Sequence, residues 1–340
     1  CFVTVFARSY LTVIEDCVTF QPSFVCGVPR LFERVRTRFE SRQRNAPPLE
    51  RLAVQFGHKV AASRRAQPED RGLFADLKDL YVDRVVASPM RDVFGGKLRF
   101  AISGGAPLTA ATGRYFRGHG IEILEGYGMT ETTAATHLNA LRTNRLGSVG
   151  RALPGVEVRL ATDGEVLVRG AHVTPGYWRD EAATHERLDA EGWLRTGDLG
   201  QHDPDGFLTI TGRKRDVIIT ANGKAIAPQP IIKALRDEPL IEQVLIHGDR
   251  RHFLTALFSL ERVALQDFAD EHGYEGDYES LTRHPAVYTA VESAVGRVNK
   301  RVAGHEQIRK FAILGSELTQ ADGEITQTRV LRRKVVAERH

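Results

Sequence analysis

The strongest constraint on this chain is a junction that occurs twice between residues 97 and 128. Lys97-Leu-Arg-Phe-Ala-Ile-Ser103 is a short apolar run that stops at Gly104-Gly105-Ala106-Pro107. A helix-patterned segment from Leu108 to His119 follows, and a second short run, Ile121-Glu-Ile-Leu124, stops at Glu125-Gly126-Tyr127-Gly128. Runs this short and apolar predict buried strands, and the order strand, glycine turn, helix, strand, turn predicts an α/β fold built on a parallel sheet. Ligands of such sheets lie beyond the carboxyl ends of the strands, where both glycine segments fall.

The flanks differ in texture. Residues 1–90 predict mostly helix: a helix opens at Val28-Pro29, with Leu31, Val35 and Phe39 near helical spacing, and Asn45-Ala-Pro-Pro48 breaks it. A second helical region is expected from about Leu49 to Ala66, then a polar loop through Pro68-Glu-Asp70. Between Arg145 and Gly212, the segments Val156–Leu160, Gly164–Gly170 and Phe207–Thr211 alternate apolar and polar residues around turns at Gly155, Asp163-Gly164 and Asp205-Gly206. That pattern predicts a small antiparallel sheet or barrel. From Arg215 onward strands and helices alternate again: Val217–Ile219, Pro230–Arg236, Gln243–Ile246, Leu254–Leu260, then helices to Ala303. A compact second α/β unit is expected there, joined at about Gly212-Arg-Lys-Arg-Asp216.

Length and composition narrow the function classes. At 340 residues the chain exceeds one ordinary domain. Its 47 basic and 43 acidic residues are too balanced to indicate a nucleic-acid partner. The arginine-rich stretches Arg30–Arg44 and Arg329–Arg339 read first as solvated helix faces, with peripheral contact to anionic lipid as the second reading. No window approaches eighteen uninterrupted apolar residues, so no transmembrane helix is expected. Cys1, Cys17 and Cys26 have neither CxxC spacing nor histidine partners, which argues against zinc and disulfides and for a reducing cytoplasm. Neither a GxSxG elbow nor a GxxxxGK[ST] loop occurs. The chain begins at Cys1 with no signal-peptide pattern, and it reads as a piece of a longer one.

Several motifs stand in a fixed order: Ser103-Gly-Gly-Ala-Pro-Leu108, Gly126-Tyr-Gly-Met-Thr-Glu-Thr132, Gly164-Glu-Val-Leu-Val-Arg-Gly170, Trp193-Leu-Arg-Thr-Gly-Asp-Leu199 and Gly212-Arg-Lys-Arg-Asp216. Together they resemble the adenylate-forming (AMP-binding) superfamily, from about Phe20 to the end. Pro22-Ser-Phe-Val-Cys-Gly-Val-Pro-Arg-Leu-Phe-Glu-Arg34 and Val298–Phe311 are similar to stretches of bacterial long-chain fatty acyl-CoA synthetases. The resemblance implies the C-terminal part of a large α/β plus β-barrel adenylation domain, followed by a small α/β C-terminal domain. The implied boundaries are 1–213, α/β to about 140 and barrel-like over about 141–213, and then a mobile unit 214–340.

The same resemblance implies a reaction and its residues. A fatty carboxylate attacks the α-phosphate of ATP with Mg²⁺ present, and coenzyme A then displaces AMP from the acyl-adenylate. Catalysis of this kind is mostly positioning and electrostatics. Gly104, Gly105 and Ala106 would lie along the adenine and Tyr127 would stack on it, within the nucleotide-binding run Gly126-Tyr127-Gly128-Met129-Thr130. Thr130 would meet phosphate and Glu131 would hold Mg²⁺, an ion that favours hard oxygen ligands; standing alone, a Thr-Glu pair signals a helix N-terminus. Asp198 would accept from the ribose hydroxyls and Arg213 would donate to the ribose. Arg215 matches the hinge, and Lys224 the loop lining the path of coenzyme A, where Ala225 replaces the expected Asn.

Two departures qualify this. No loop resembling "TSGTTG-x-PKG" occurs, so the β- and γ-phosphate loop is expected upstream of residue 1. At the C-terminus the motif appears as Thr326-Gln-Thr-Arg-Val-Leu-Arg-Arg333, with Val330 at the position of the catalytic lysine. Three readings therefore stand: a long-chain fatty acid–CoA ligase impaired in adenylation, a fatty acyl-AMP or aryl-CoA ligase, and a catalytically silent nucleotide- or acyl-AMP-binding protein.

Overall fold

The computed structural model describes residues 3–9, 12–44, 83–326 and 330–340, together with Pro47 and Leu52. The helix expected over 49–66, the loop at 68–70 and Arg329 lie outside the described residues.

Three short parallel strands form the first sheet: β1 (Phe24–Gly27), β2 (Phe100–Ser103) and β3 (Glu122–Met129). Two antiparallel strands, β4 (Ala134–Leu138) and β5 (Arg151–Ala152), extend it in the order β1-β2-β3-β4-β5. Helix α1 (Val13–Phe20), α2 (Pro29–Arg44), α3 (Ser88–Val93) and α4 (Ala110–Gly118) pack around it. Their apolar residues close a core in which Phe32, Met90, Phe94, Phe116 and Ala101 are fully buried. The helical expectation for residues 1–90 misses β1, whose four residues are too few to show a period.

The second glycine segment departs from expectation. Gly126-Tyr127-Gly128 is not a turn: β3 runs through it to Met129 and pairs with β4. A Cβ on Gly128 would fall 1.7 Å from the Ala134 carbonyl oxygen, and one on Gly126 would fall 3.0 Å from Leu138. These glycines let two backbones approach rather than reverse the chain. Gly105, at φ +79°, does make the turn after β2.

The stretch from 157 to 213 is also corrected. It forms an open four-stranded antiparallel sheet, β6 (Glu157–Leu160), β7 (Glu165–Arg169), β8 (Leu194–His202) and β9 (Leu208–Arg213), and no closed barrel. The expectation of a sheet holds and that of closure does not, because β6 and β9 do not pair. Helix α5 (Glu181–Arg187) lies between β7 and β8, capped by Asp180 accepting from Ala183. The sheet joins the first one through Val149 N–H to Leu208 O at 2.8 Å and Leu208 N–H to Gly150 O at 2.9 Å.

After the 3₁₀ turn Lys214–Asp216 come the hairpin β10 (Ile218–Ile219) and β11 (Ala225–Ile226) and helix α6 (Pro228–Arg236). A three-stranded sheet follows, with β12 (Ile241–His247) antiparallel to β13 (Leu254–Leu260) and β13 parallel to β14 (Ile308–Ile313). Helices α7 (Arg262–His272), α8 (Tyr278–Thr282) and α9 (Pro285–Asn299) complete this core around Phe258, Leu260, Val287 and Val291. Helix α10 (Arg333–Arg339) ends the chain. No helix among the described residues is long and apolar enough to cross a membrane.

A part-buried ion network ties α2 to this last core. Arg30 reaches Glu242 of β12 at 2.5 Å, and Arg236 of α6 reaches Glu33 at 2.7 Å. Glu242 is only 2% exposed, so water does little to screen it. The Val28-Pro-Arg30 motif is therefore an interface element in this fold. Arg30→Ala should destabilise the chain by about 3–5 kcal/mol, because a buried carboxylate loses its cation. Arg30→Met combined with Glu242→Leu should recover most of that loss. Urea unfolding of the three proteins checks the ordering.

Candidate functional site

Three segments converge where β3 ends. Tyr127 of β3 donates its hydroxyl to Asp198 Oδ2 at 2.8 Å, and Arg213 Nε lies 3.3 Å from Asp198 Oδ1. Asp198 and Arg213 are direct partners across β8 and β9, so the sheet register itself brings the ion pair together. The backbone N–H of Asp198 donates to Thr196 Oγ1, which in turn donates to Val166 O. The backbone of Asp198 is thus tied through Thr196 to β7, while its carboxylate is held by Tyr127 of β3 and Arg213 of β9.

Burial sets the electrostatics. It pushes the Asp198 carboxyl above its usual range, while the Tyr127 hydroxyl and Arg213 pull it back. Burial, and then the Asp198 charge, also pushes the Tyr127 phenol up, so it remains a donor. His137, the partner of Tyr127 across β3 and β4, lies beside it with ring centroids 6.0 Å apart. Burial and then His202 push His137 down to about 4, so it packs there as a neutral ring.

Thr130 and Glu131 open the 3₁₀ turn after β3, with Thr130 exposed and Glu131 half-buried. Thr132 closes that turn by accepting from Met129 N–H and donating to Ala134 O, both at 3.0 Å. Glu131 Oε1 accepts from the Tyr177 hydroxyl at 2.7 Å, and its backbone carbonyl accepts from Thr174 N–H at 2.7 Å. Gly104 and Gly105 lie on the adjoining strand end, with Ala106 following. A Cβ on Gly104 would meet nothing nearer than Gly126 O at 3.7 Å, so a methyl group would fit there without a clash.

Among the described residues, the remaining sequence-selected residues make no hydrogen bond or ion pair with this cluster, although the Arg215 charge helps to pull the Asp198 carboxyl back down. Arg215 is exposed in the turn Lys214–Asp216. Lys224 is exposed in the loop between β10 and β11, its backbone held by Thr220. Val330 is 41% exposed; its N–H donates to Thr326 Oγ1 and its carbonyl accepts from Thr326 N–H. Lys334 stands on α10 and faces Glu338 at 3.9 Å. Among the described residues, no hydrogen bond or ion pair joins Lys224 or Val330 to the Tyr127–Asp198 cluster.

Two partners escaped the sequence reading. Tyr177 lies in Gly176-Tyr-Trp178, and a glycine-aromatic pair beyond β7 was its only signal. Glu125 is buried, accepts from Leu108 N–H at 2.9 Å, and has its carboxyl pushed up by that burial. It fixes the chain between the glycine turn and α4.

The comparison with known families decides what this constellation belongs to. A family model described as AMP-binding enzyme matches residues 1–178, and one described as AMP-binding enzyme C-terminal domain matches residues 215–340. The chain belongs to the AMP-binding enzyme family. Within it, the chain is 39% identical over 336 residues to the long-chain-fatty-acid–CoA ligase FadD15 of Mycobacterium bovis, covering 98% of this chain and 56% of that protein. It is 32% identical over 354 residues to the long-chain-fatty-acid–CoA ligase ACSBG1 of Rattus norvegicus, covering 97% of this chain and 49% of that protein. The chain thus spans about half the length of these relatives. Among solved structures, the adenylation domain of a carboxylate reductase from Mycobacterium chelonae superposes with a TM-score of 0.66 at 19% identity, covering 98% of this chain and 48% of that one. An anthranilate CoA ligase in complex with anthranoyl-AMP gives 0.64 at 18% identity, covering 98% and 53%. Both share the fold of this AMP-binding enzyme.

The two glycine segments should respond differently to a methyl group. Gly128→Ala forces β3 and β4 apart and should cost about 1–3 kcal/mol of stability. Gly104→Ala should leave stability within about 0.5 kcal/mol. Thermal melts separate the two.

Proposed function

We propose that the chain is the adenylate-handling part of a ligase that activates long-chain fatty acids to acyl-CoA through an acyl-adenylate. The convergence of Tyr127 and Arg213 on Asp198, in a chain related to long-chain-fatty-acid–CoA ligases, carries this reading. ATP, coenzyme A and a fatty acid are its substrates. A buried carboxylate with two donors already in place is pre-oriented to accept from ribose hydroxyls, and Arg213, half exposed, can turn to a ligand. Gly104, Gly105 and Ala106 offer a flat backbone edge to the adenine, and Tyr127 borders it in the run Gly126–Thr130.

The residues present fit Mg²⁺. Thr130 and Glu131 offer hard oxygens at the strand end, and Mg²⁺ takes one or two carboxylates with phosphate oxygens and water. When bound, the ion neutralises charge on the phosphate oxygens. Thr130 would orient the α-phosphate and Glu131 would hold the ion.

Units 1–213 and 214–340 are the two bodies of this reading, with Arg215 as the hinge. In support, Lys214 is paired with Asp163 at 2.6 Å and Glu165 at 3.1 Å, while Asp216 faces Arg333 at 3.6 Å. Lys224, exposed on its hairpin, suits an anionic ligand such as coenzyme A. A cytoplasmic setting, with peripheral membrane contact, belongs to the same proposal.

Val330 favours a second reading, in which the chain handles a ready-made acyl-adenylate better than it forms one. No cation stands at that position to offset charge where carboxylate meets α-phosphate.

Two expected outcomes test the pair. Asp198→Ala should lose charge-assisted bonds worth about 1.5–3 kcal/mol each, lowering affinity for a non-hydrolysable acyl-AMP analogue at least tenfold by calorimetry. Tyr127→Ala should weaken the same binding, and unchanged affinity in both variants would remove the nucleotide site from this position. Separately, in a chain extended with the upstream region of a related ligase, Val330→Lys should raise pyrophosphate release about 10²–10³-fold. Consumption of supplied acyl-AMP should change far less, and equal gains in both steps would refute the second reading.

A further inference from the structure

We propose that Tyr177 is a positioning residue that fixes the Glu131 carboxylate for a divalent cation. The proposal rests on the reading of Glu131 given above and adds the group that orients it. The Tyr177 hydroxyl donates to Glu131 Oε1 at 2.7 Å, and no other hydrogen bond or ion pair engages that carboxylate among the described residues. One oxygen is thereby occupied and the plane of the carboxylate set, leaving Oε2 for a ligand.

The backbone of Tyr177 is itself anchored from an independent element. Tyr177 N–H donates to Thr184 Oγ1 of α5 at 2.9 Å, and Thr184 Oγ1 donates to Asp180 O at 2.7 Å. A Cβ on Gly176 would fall 2.8 Å from the Thr184 side chain, so the glycine is what seats the loop against α5. Two further bonds stitch this loop to the turn after β3: Thr174 N–H to Glu131 O at 2.7 Å and Thr133 Oγ1 to His172 O at 2.8 Å. Backbone and side chain of Glu131 are therefore both held by residues 172–177.

A flexible glutamate that must meet an ion gains affinity when its orientation is set beforehand, and loss of such an outer hydrogen bond typically costs about 10–100-fold in metal affinity. Tyr177→Phe retains the ring and removes only the hydroxyl. The test is the metal-dependent gain in ATP affinity: calorimetric titration of the full chain with ATP in Mg²⁺ and in EDTA, beside AMP in EDTA. Tyr177→Phe should cut the Mg²⁺ gain about tenfold, raise the Mn²⁺ concentration needed for half-saturation in the presence of ATP by a similar factor, and leave AMP affinity unchanged. An unaltered gain, or an equal fall for AMP and for ATP with Mg²⁺, would overturn the proposal, since the second pattern marks a merely structural role. Glu131→Gln separates the two layers. If it keeps the gain, the metal reading of Glu131 fails and the positioning role fails with it. If it abolishes the gain while Tyr177→Phe does not, only the positioning role is overturned.

Discussion

The Asp198 carboxylate is the point on which the candidate site depends. It is buried where an isolated charge would be costly, and it is stable there because Tyr127 and Arg213 arrive from two other strands to satisfy it. That requirement couples two sheets with different connectivity. Register between β8 and β9 places Arg213, the continuation of β3 places Tyr127, and neither strand could slip by one residue without turning its contributor away. The open sheet of residues 157–213 is thus the wall of the site as much as a folding unit.

A second set of charges acts at longer range. Arg30 and Glu33 on α2 meet Glu242 and Arg236 across the boundary between the first and last cores. Networks of this kind add little net stability compared with apolar packing, yet breaking one partner is expensive, so they favour one arrangement over near alternatives. Helix α2 serves two cores at once, with Leu31, Phe32, Val35 and Phe39 facing the parallel sheet.

Much of this was legible in the sequence, and the exceptions have physical causes. The α/β grammar of 97–124 and the alternation of 156–170 reflect periodicity, which local sequence carries directly. Tyr127, Asp198 and Arg213 were selected by motif, and the fold brings them within hydrogen-bond reach. The strand running through Gly126–Gly128 was hidden, because glycine as a turn former and glycine as a concession to a neighbouring backbone look alike until β4 is in place. Strand β8 was hidden behind its motif, and closure of the sheet was expected where β6 and β9 stay unpaired. Tyr177 lies 46 residues from Glu131 in sequence, and no spacing rule anticipates a contact that depends on how a loop folds against α5. The role of Arg30 was equally out of reach, since its partner lies 212 residues away.

The turn Lys214–Asp216 has a mechanical consequence. Its first residue is bound to Asp163 and Glu165 at the start of β7, and its last faces Arg333 at the start of α10. Between them Arg215 is exposed, and no ion pair engages it among the described residues. A peptide chain has two soft torsions per residue, so under the proposed two-body reading a segment held at both ends would act as a universal joint with two axes. Any reorientation there would be nearly pure rotation, with almost no sliding at the pivot and an arc that lengthens with distance from it. Lys224, on a hairpin a few residues beyond the joint, and Val330, near the far end of the chain, would sweep different paths for the same twist. Leverage, rather than a change in either core, would then decide which of them faces a ligand.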